Sequence, residues 1–193
     1  MEDDPRKPND EEVVRRVLAG DVDAFEYLVQ RYQHLVMTTV KKHIPFDDAE
    51  DVAQEIYLRA YRSLPGFRKS DRFTHWLSVI AVRACYDFWR ERYRSRELPM
   101  SSLTEEHRMW LEAALSDQSS PSCDEKALQK EAGEILDLAL GRLSAGDRMA
   151  LELVYLEGYS VKEAAGLLGW STTNVKVRLF RSRKKLRGLL THG

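Results

Sequence analysis

Apolar residues recur at every third or fourth position along most of this chain, and nowhere do they alternate with polar ones for the length of a strand. That spacing gathers side chains on one face of a helix, so the 193 residues can bury a core only by packing helices together. Val13, Val14, Val17 and Leu18 form the first stripe, after Asn9 and Asp10 as an N-cap. Gly20 and Asp21 stop that helix and start the next, whose stripe is Phe25, Leu28, Val29, Tyr32, Leu35 and Val36, with Pro45 closing it. Asp47 is expected to cap a third helix that turns Ala49, Ala53, Ile56 and Ala60 inward. Ser63 to Ser70 contains Pro65 and Gly66 and reads as a loop. A long helix from about Arg72 to Tyr93 packs through Phe73, Leu77, Ile80, Ala81, Ala84 and Phe88.

From Ser95 to Ser122 the periodicity fails. Seven serines, Pro99 and Pro121 fall in those 28 residues among scattered acids, the composition of a tether rather than a core. Within it, Leu103 to Leu115 is expected to form a short helix. Pattern resumes near Asp124 with Leu128, Ile135, Leu136 and Leu140, and Ser144 with Asp147 resembles a capping box before Met149, Leu153 and Leu156. The expected fold is all-α: a disordered acidic tail over 1–9, a helical domain over 10–95, a flexible acidic linker over 96–123 and a second helical domain over 124–193.

The sharpest motif lies at the end of the chain. Ser160 to Leu168 is a short amphipathic helix with Ala164, Ala165 and Leu168 inward; Gly169 and Trp170 break it, and Ser171 or Thr172 caps a helix to about Leu189. Small residues on the first helix and a glycine in the turn permit the close crossing of a helix-turn-helix. On the second helix, Val175, Leu179, Ser182 and Leu186 fall on one side, and Thr173, Lys176, Val177, Phe180, Arg181 and Lys184 on the other. Seven bases and no acid lie between Ser171 and Arg187, which suits DNA recognition. A solvated face or a membrane-surface helix gives the same composition.

The net charge of −1 hides a sorting of charge along the chain: +5 over residues 67–96, −6 over 97–134 and +5 over 144–193. Two basic blocks split by an acidic one can grip a polyanion at two places, although solvated helix faces would also be charged. The first basic block carries His75, Arg83, Tyr86, Arg90 and Tyr93 on the outer side of the long helix, with Trp89 at its margin. Aromatic rings alternating with guanidiniums suit single-stranded nucleic acid, on which bases stack while Arg holds phosphate. Ordinary packing accounts equally for Tyr86 or Trp89 alone. The adjoining Phe67, Arg68, Lys69, Ser70 and Asp71 form a loop able to hold an extruded base.

A third feature is acidic. Asp47, Asp48, Glu50, Asp51 and Glu55 crowd the start of the third helix, with Asp48, Asp51 and Glu55 on its exposed side, as a basic protein partner would require. Helix-dipole complementarity explains the first acids without a partner, and an intrahelical pair with Arg59 would explain Glu55.

Other classes are disfavoured. No run approaches the roughly 18 apolar residues of a membrane span, and the charged N-terminus has no apolar stretch behind it, so it is not expected to be a secretory signal. Cys85 and Cys123 make neither a disulfide framework nor a zinc pair, so a reducing cytoplasmic setting is expected. His34, His43, His75, His107 and His192 lack metal-ligand spacing, and there is no phosphate loop or nucleophile motif. No enzyme and no cofactor are expected.

The segments Asp48–Tyr61, Trp76–Val82 and Val175–Arg183 closely resemble bacterial RNA polymerase sigma factors of the extracytoplasmic-function group, which keep conserved regions two and four. The resemblance runs over about residues 10–95 and 125–190, in order. It implies a promoter-specificity subunit that binds the polymerase core and both promoter elements. Asp48, Asp51, Gln54 and Glu55 would meet the clamp helices of the largest core subunit, and the core's flap is a second implied contact. The 67–94 segment, with Arg83, Tyr86, Trp89 and Arg90, would open and read the −10 element, while the linker threads the polymerase. Lys176, Val177, Phe180 and Arg181 stand where the family contacts −35 DNA; Val177 departs from the small polar residue often found there. An anti-sigma protein is a further partner implied by the resemblance. A helix-turn-helix regulator with an N-terminal helical sensor domain is the competing reading; it explains residues 144–190 but not the acidic helix, the aromatic-basic helix or the tether.

Overall fold

The computed structural model describes residues 8–68, 72–95 and 139–191. Among them there is no strand, and the all-α expectation holds. The tail up to residue 7, Lys69, Ser70, Asp71, the linker with its Leu103–Leu115 helix, Cys123, His107, the helix start at Asp124 with Leu128, Ile135 and Leu136, and His192 lie outside the described residues. The chain divides into two compact units, residues 1–88 with 166–169, and residues 89–165 with 170–193.

The first unit begins with α1 (Asp10–Leu18), where the Asn9 side chain accepts from the Glu12 N–H at 2.8 Å. Val13, Val14 and Val17 are buried while Leu18 is left exposed. A 3₁₀ turn, Val22–Ala24, leads into α2 (Phe25–His43), and Asp21 caps it while pairing with Arg16 at 2.7 Å. Asp10 ties α1 to α2, accepting from both Arg31 and the Tyr32 hydroxyl. A second 3₁₀ turn, Phe46–Asp48, precedes α3 (Ala49–Ser63). Asp47 therefore lies inside that turn and does not cap the helix, whose N-cap position falls one residue later, at Asp48. Ala49, Ala53, Ile56 and Ala60 are buried as the stripe requires.

The last helix to enter this unit is α4 (Phe73–Ser95). Arg59 of α3 reaches it, bonding Glu55 in its own helix and Asp87 on α4, each at 2.7 Å. Burial works against the Arg59 charge, and the two carboxylates more than offset it. Phe73, Leu77, Ala81 and Ala84 are buried on one side of α4, and Val82, Cys85 and Trp89 on another. A single amphipathic stripe does not describe this helix, which spans the boundary between the units at Phe88 and Trp89.

In the second unit, Ser144 caps α5 (Ala145–Leu151), accepting from the Asp147 N–H at 3.3 Å. The helix continues as a π-helical stretch, Glu152–Leu156. The wider turn changes the direction of its later side chains, so Leu153 is buried but Leu156 is 52% exposed, against the expected inward stripe. Arg148 and Glu152 form a buried pair at 2.6 Å. Desolvation opposes the Arg148 charge, and the Glu152 carboxylate together with the Tyr93 hydroxyl outweighs it. A reciprocal capping box opens α6 (Val161–Leu168): the Ser160 N–H donates to Glu163 at 2.9 Å and the Glu163 N–H to Ser160 Oγ at 3.2 Å. Gly169, at φ 71°, ends α6 in a Schellman turn, with the Trp170 N–H on the Ala165 carbonyl and the Gly169 N–H on that of Gly166. Ser171 then caps α7 (Thr172–Thr191) by accepting from the Asn174 N–H at 3.1 Å.

The tyrosines of the first unit set an alkaline limit. Burial pushes Tyr32 up to about 12, helped by its bond to Asp10, and burial alone pushes Tyr57 up to about 12. A raised folded value means the stabilisation is complete below the unfolded value of 10.0 and is lost as pH rises towards 12. Phenolate absorbance at 295 nm is expected to show Tyr32 and Tyr57 titrating late, and Tyr57→Phe to flatten the fall in stability over that window. All eight tyrosines titrating together near pH 10 would contradict this burial.

Candidate nucleic-acid interface

The rotation of α7 about its own axis decides which residues it offers to a ligand. Val175, Leu179, Ser182 and Leu186 are all buried, Val175 and Ser182 completely. Leu186 joins Ala139, Leu140, Leu143 and Leu151 in one apolar cluster. The Ser182 hydroxyl lies 3.1 Å from the Asp147 carbonyl and 2.8 Å from that of Arg178, and its single proton serves one at a time. Arg178 adds a second tie, with Nη1 3.2 Å from the Asp147 carboxylate and Nε 2.9 Å from Asn174 Oδ1. Its guanidinium lies 4.6 Å from the centre of the Trp170 ring. Gly146 makes room for it, since a β-carbon there would run into the guanidinium.

With that side fixed, Thr173, Lys176, Val177, Phe180, Arg181 and Lys184 are all exposed. The expected division of the helix into two faces is the one the structure has. Arg178, counted among the bases of this helix, is turned to Asp147 and Trp170 instead.

The second basic region is less open than its sequence suggests. Arg83 and Arg90 are exposed and Tyr86 is half-buried, but Trp89 is only 5% exposed. Tyr93 stacks on the Trp89 ring at 5.5 Å, and the Arg148 guanidinium lies 3.7 Å from its centre within the second unit. Trp89 therefore packs rather than facing solvent. Phe67 is half-buried, edge-on to Phe73 at 5.4 Å and to Trp76 at 5.2 Å, while Arg68 is exposed. Phe73 also meets Tyr32 at 5.0 Å and Trp76 at 5.1 Å. This four-ring cluster was hidden in the sequence because its members come from three segments.

On α3, Asp51 and Gln54 are exposed and Glu55 is half-buried, as is Asp48 just before it. Glu55 is engaged by Arg59, as the i, i+4 spacing allows. Beside them lies an open groove of about 580 Å³ between α2 and α3, lined by Val22, Phe25, Val29, Tyr57, Leu58 and Tyr61 among others. Leu58 and Tyr61 are 50% and 37% exposed. The signal for it was present: Gln54, Leu58 and Tyr61 are spaced i, i+4, i+7, a second stripe beside the buried one. Among the described residues, no group of His, Cys, Asp or Glu could hold a metal, and no helix is long and apolar enough to cross a membrane.

Comparison with known proteins gives these surfaces a context. Residues 28–95 match the family model for sigma-70 region 2, and residues 133–186 that for sigma-70 region 4. The chain is 33% identical over 177 residues to the ECF RNA polymerase sigma-E factor of Escherichia coli strain K12, covering 92% of each chain. It is 32% identical over 180 residues to the RNA polymerase sigma-H factor of Pseudomonas aeruginosa PAO1, covering 92% of this chain and 91% of that one. Among solved structures it is similar to CnrH in complex with the cytosolic domain of CnrY, with a TM-score of 0.52 and 26% identity over 92% of this chain and 94% of that one.

The lock on α7 is open to test. Ser182→Leu forces an extra side chain into a closed site and should cost about 1–3 kcal/mol. Ser182→Ala removes only the hydroxyl and should cost about 1 kcal/mol. Urea unfolding followed by circular dichroism separates the two; equal, negligible effects would mean that Ser182 does not set the seating of α7.

Proposed function

Since the chain belongs to the extracytoplasmic-function group of RNA polymerase sigma factors, we propose that its two basic faces bind the two promoter elements, α7 at −35 and α4 with its preceding loop at −10. As an alternative sigma factor it directs transcription initiation. It acts in the cytoplasm with RNA polymerase core and promoter DNA, and it supplies recognition rather than catalysis. The domain over 10–95 binds core and the −10 element, and that over 124–193 the −35 element.

The observation that carries this reading is the outward face of α7: Lys176, Arg181 and Lys184 are exposed together on a helix whose opposite side is fixed to α5. A helix held this way presents its N-terminal half to base edges and its later basic residues to phosphates. The −10 role rests on exposed Arg68, next in the chain to half-buried Phe67, and on α4, where Arg83 and Arg90 are exposed and Tyr86 is half-buried. Trapping extruded bases there offsets the few kcal/mol of unstacking without a cofactor. An anti-sigma protein belongs to the same reading; CnrH was solved with the cytosolic domain of CnrY bound.

The core-binding surface is the exposed line Asp51, Gln54, Leu58 and Tyr61 along α3, an acidic edge beside an apolar groove. Asp51→Arg with Gln54→Arg should weaken core binding while moving stability by no more than about 0.5 kcal/mol, as both are exposed. Glu55 is left intact because it holds Arg59. Unchanged affinity in a fluorescence titration with core polymerase would remove α3 from the contact.

Base reading and phosphate grip separate on α7. Arg181 has a planar fork suited to guanine O6 and N7. Arg181→Ala should cost about 1–3 kcal/mol and relax preference at one or two base pairs of the −35 element. Lys184→Ala should weaken all promoters alike and lower the salt slope by roughly one. Both are measured with core polymerase on DNA randomised over the −35 element. If Arg181→Ala lowers affinity uniformly with preference intact, Arg181 grips phosphate instead.

A further inference from the structure

The outward face of α7 is not uniformly basic. Val177 is 40% exposed and Phe180 62% exposed, and the two are i, i+3 neighbours on one face. At about 100° per residue, both point within about 40° of the direction opposite buried Ser182. Thr173 and Lys184 extend that line by one turn at each end, while Lys176 and Arg181 flank it on either side. The face therefore has an apolar centre and cationic margins.

A single exposed apolar side chain is ordinary. Here two adjacent ones hold the middle of the outer face, while Val175, Leu179 and Leu186 of the same helix are buried on its other side. A helix lying in the major groove turns the middle of its outer face to base edges and its margins to the phosphate walls. The apolar group displayed on that floor is the thymine 5-methyl. Valine offers no hydrogen bond to any base, so contact there favours a methyl and penalises an amino group or carbonyl left without water.

Building on the −35 assignment of α7, we propose that Val177 and Phe180 form an apolar slot that reads the 5-methyl group of thymine at one or two positions of the −35 element. Arg181 reads a neighbouring guanine, and Val177 sets the sequence preference at its own step. A hydroxyl residue in its place would tolerate several base edges, being both donor and acceptor.

The test removes the methyl without touching any hydrogen-bonding edge. Full-length protein with core polymerase is titrated on promoter DNA in which each −35 thymine, on either strand, is replaced in turn by deoxyuridine. Replacement at one or two positions should weaken binding about fourfold, the value of one buried methyl-sized group, and the others should be silent. Val177→Ser should bind thymine and deoxyuridine equally at its step, and Phe180→Ala should do so at the neighbouring one. Any change in DNA shape from the missing methyl acts on all variants alike, so the coupling isolates the contact. Both side chains are exposed, and circular dichroism checks that the variants fold. If the unaltered protein binds every deoxyuridine DNA equally, or if the sensitivity persists in both variants, the slot does not exist. Lys184→Ala distinguishes the levels. If it still weakens all DNAs alike, only the slot is lost; if neither it nor Arg181→Ala affects binding, the −35 assignment falls and the slot with it.

Discussion

A hydroxyl group and a guanidinium that converge on Asp147 decide what the second unit can present. The Ser182 hydroxyl lies within reach of the Asp147 carbonyl, sharing its one proton between that oxygen and the Arg178 carbonyl. The Arg178 guanidinium pairs with the Asp147 carboxylate, and the two side chains lie one turn apart on α7. Apolar contacts alone leave some freedom of rotation and sliding, because burial is non-directional. Directional contacts with two atoms of one residue restrict that freedom. A shift of α7 by one residue would turn its direction by about 100° and take Val177 or Phe180, together with Lys184, away from the centre of the outer face. The surface chemistry of this helix is thus a consequence of its buried side.

The first unit reaches the same end with charge and aromatic packing. Asp10 gathers Arg31 and Tyr32 onto α1, and Arg59 joins Glu55 to Asp87 across α3 and α4. Arg59 is about one-third exposed, so its pairs count for more as positioning than as stability. The rings of Tyr32, Phe67, Phe73 and Trp76 then join Phe67, just after α3, to α2 and to the start of α4. Sorted charge lets one chain with a net charge of −1 keep two cationic faces.

The division of α7 into a buried and an exposed face was legible in the order of residues, because a 3.6-residue period converts directly into direction. So were the buried alanines of α3 and the breaks at Gly20, Pro45 and Gly169. Ser160 with Glu163 offered a further capping signature, readable from the S-x-x-E spacing and realised in the structure. Misplaced residues fall where a helix departs from regular geometry or meets more than one surface. Leu156 ends a π-helical stretch that shifts its direction, and Asp47 lies in a 3₁₀ turn that the sequence does not announce.

By itself, then, the sequence determined the helical class, the two basic regions, the acidic start of α3 and the face of α7 that carries Thr173, Lys176, Val177, Phe180, Arg181 and Lys184. These features arise from local spacing and composition. Tertiary structure alone decided that Trp89 is packed under Tyr93 and Arg148, that Arg178 turns to Asp147, and that Leu58 and Tyr61 border an open groove. Each outcome depends on a residue distant in the chain, and helical periodicity fixes the direction of a side chain but not what stands in that direction.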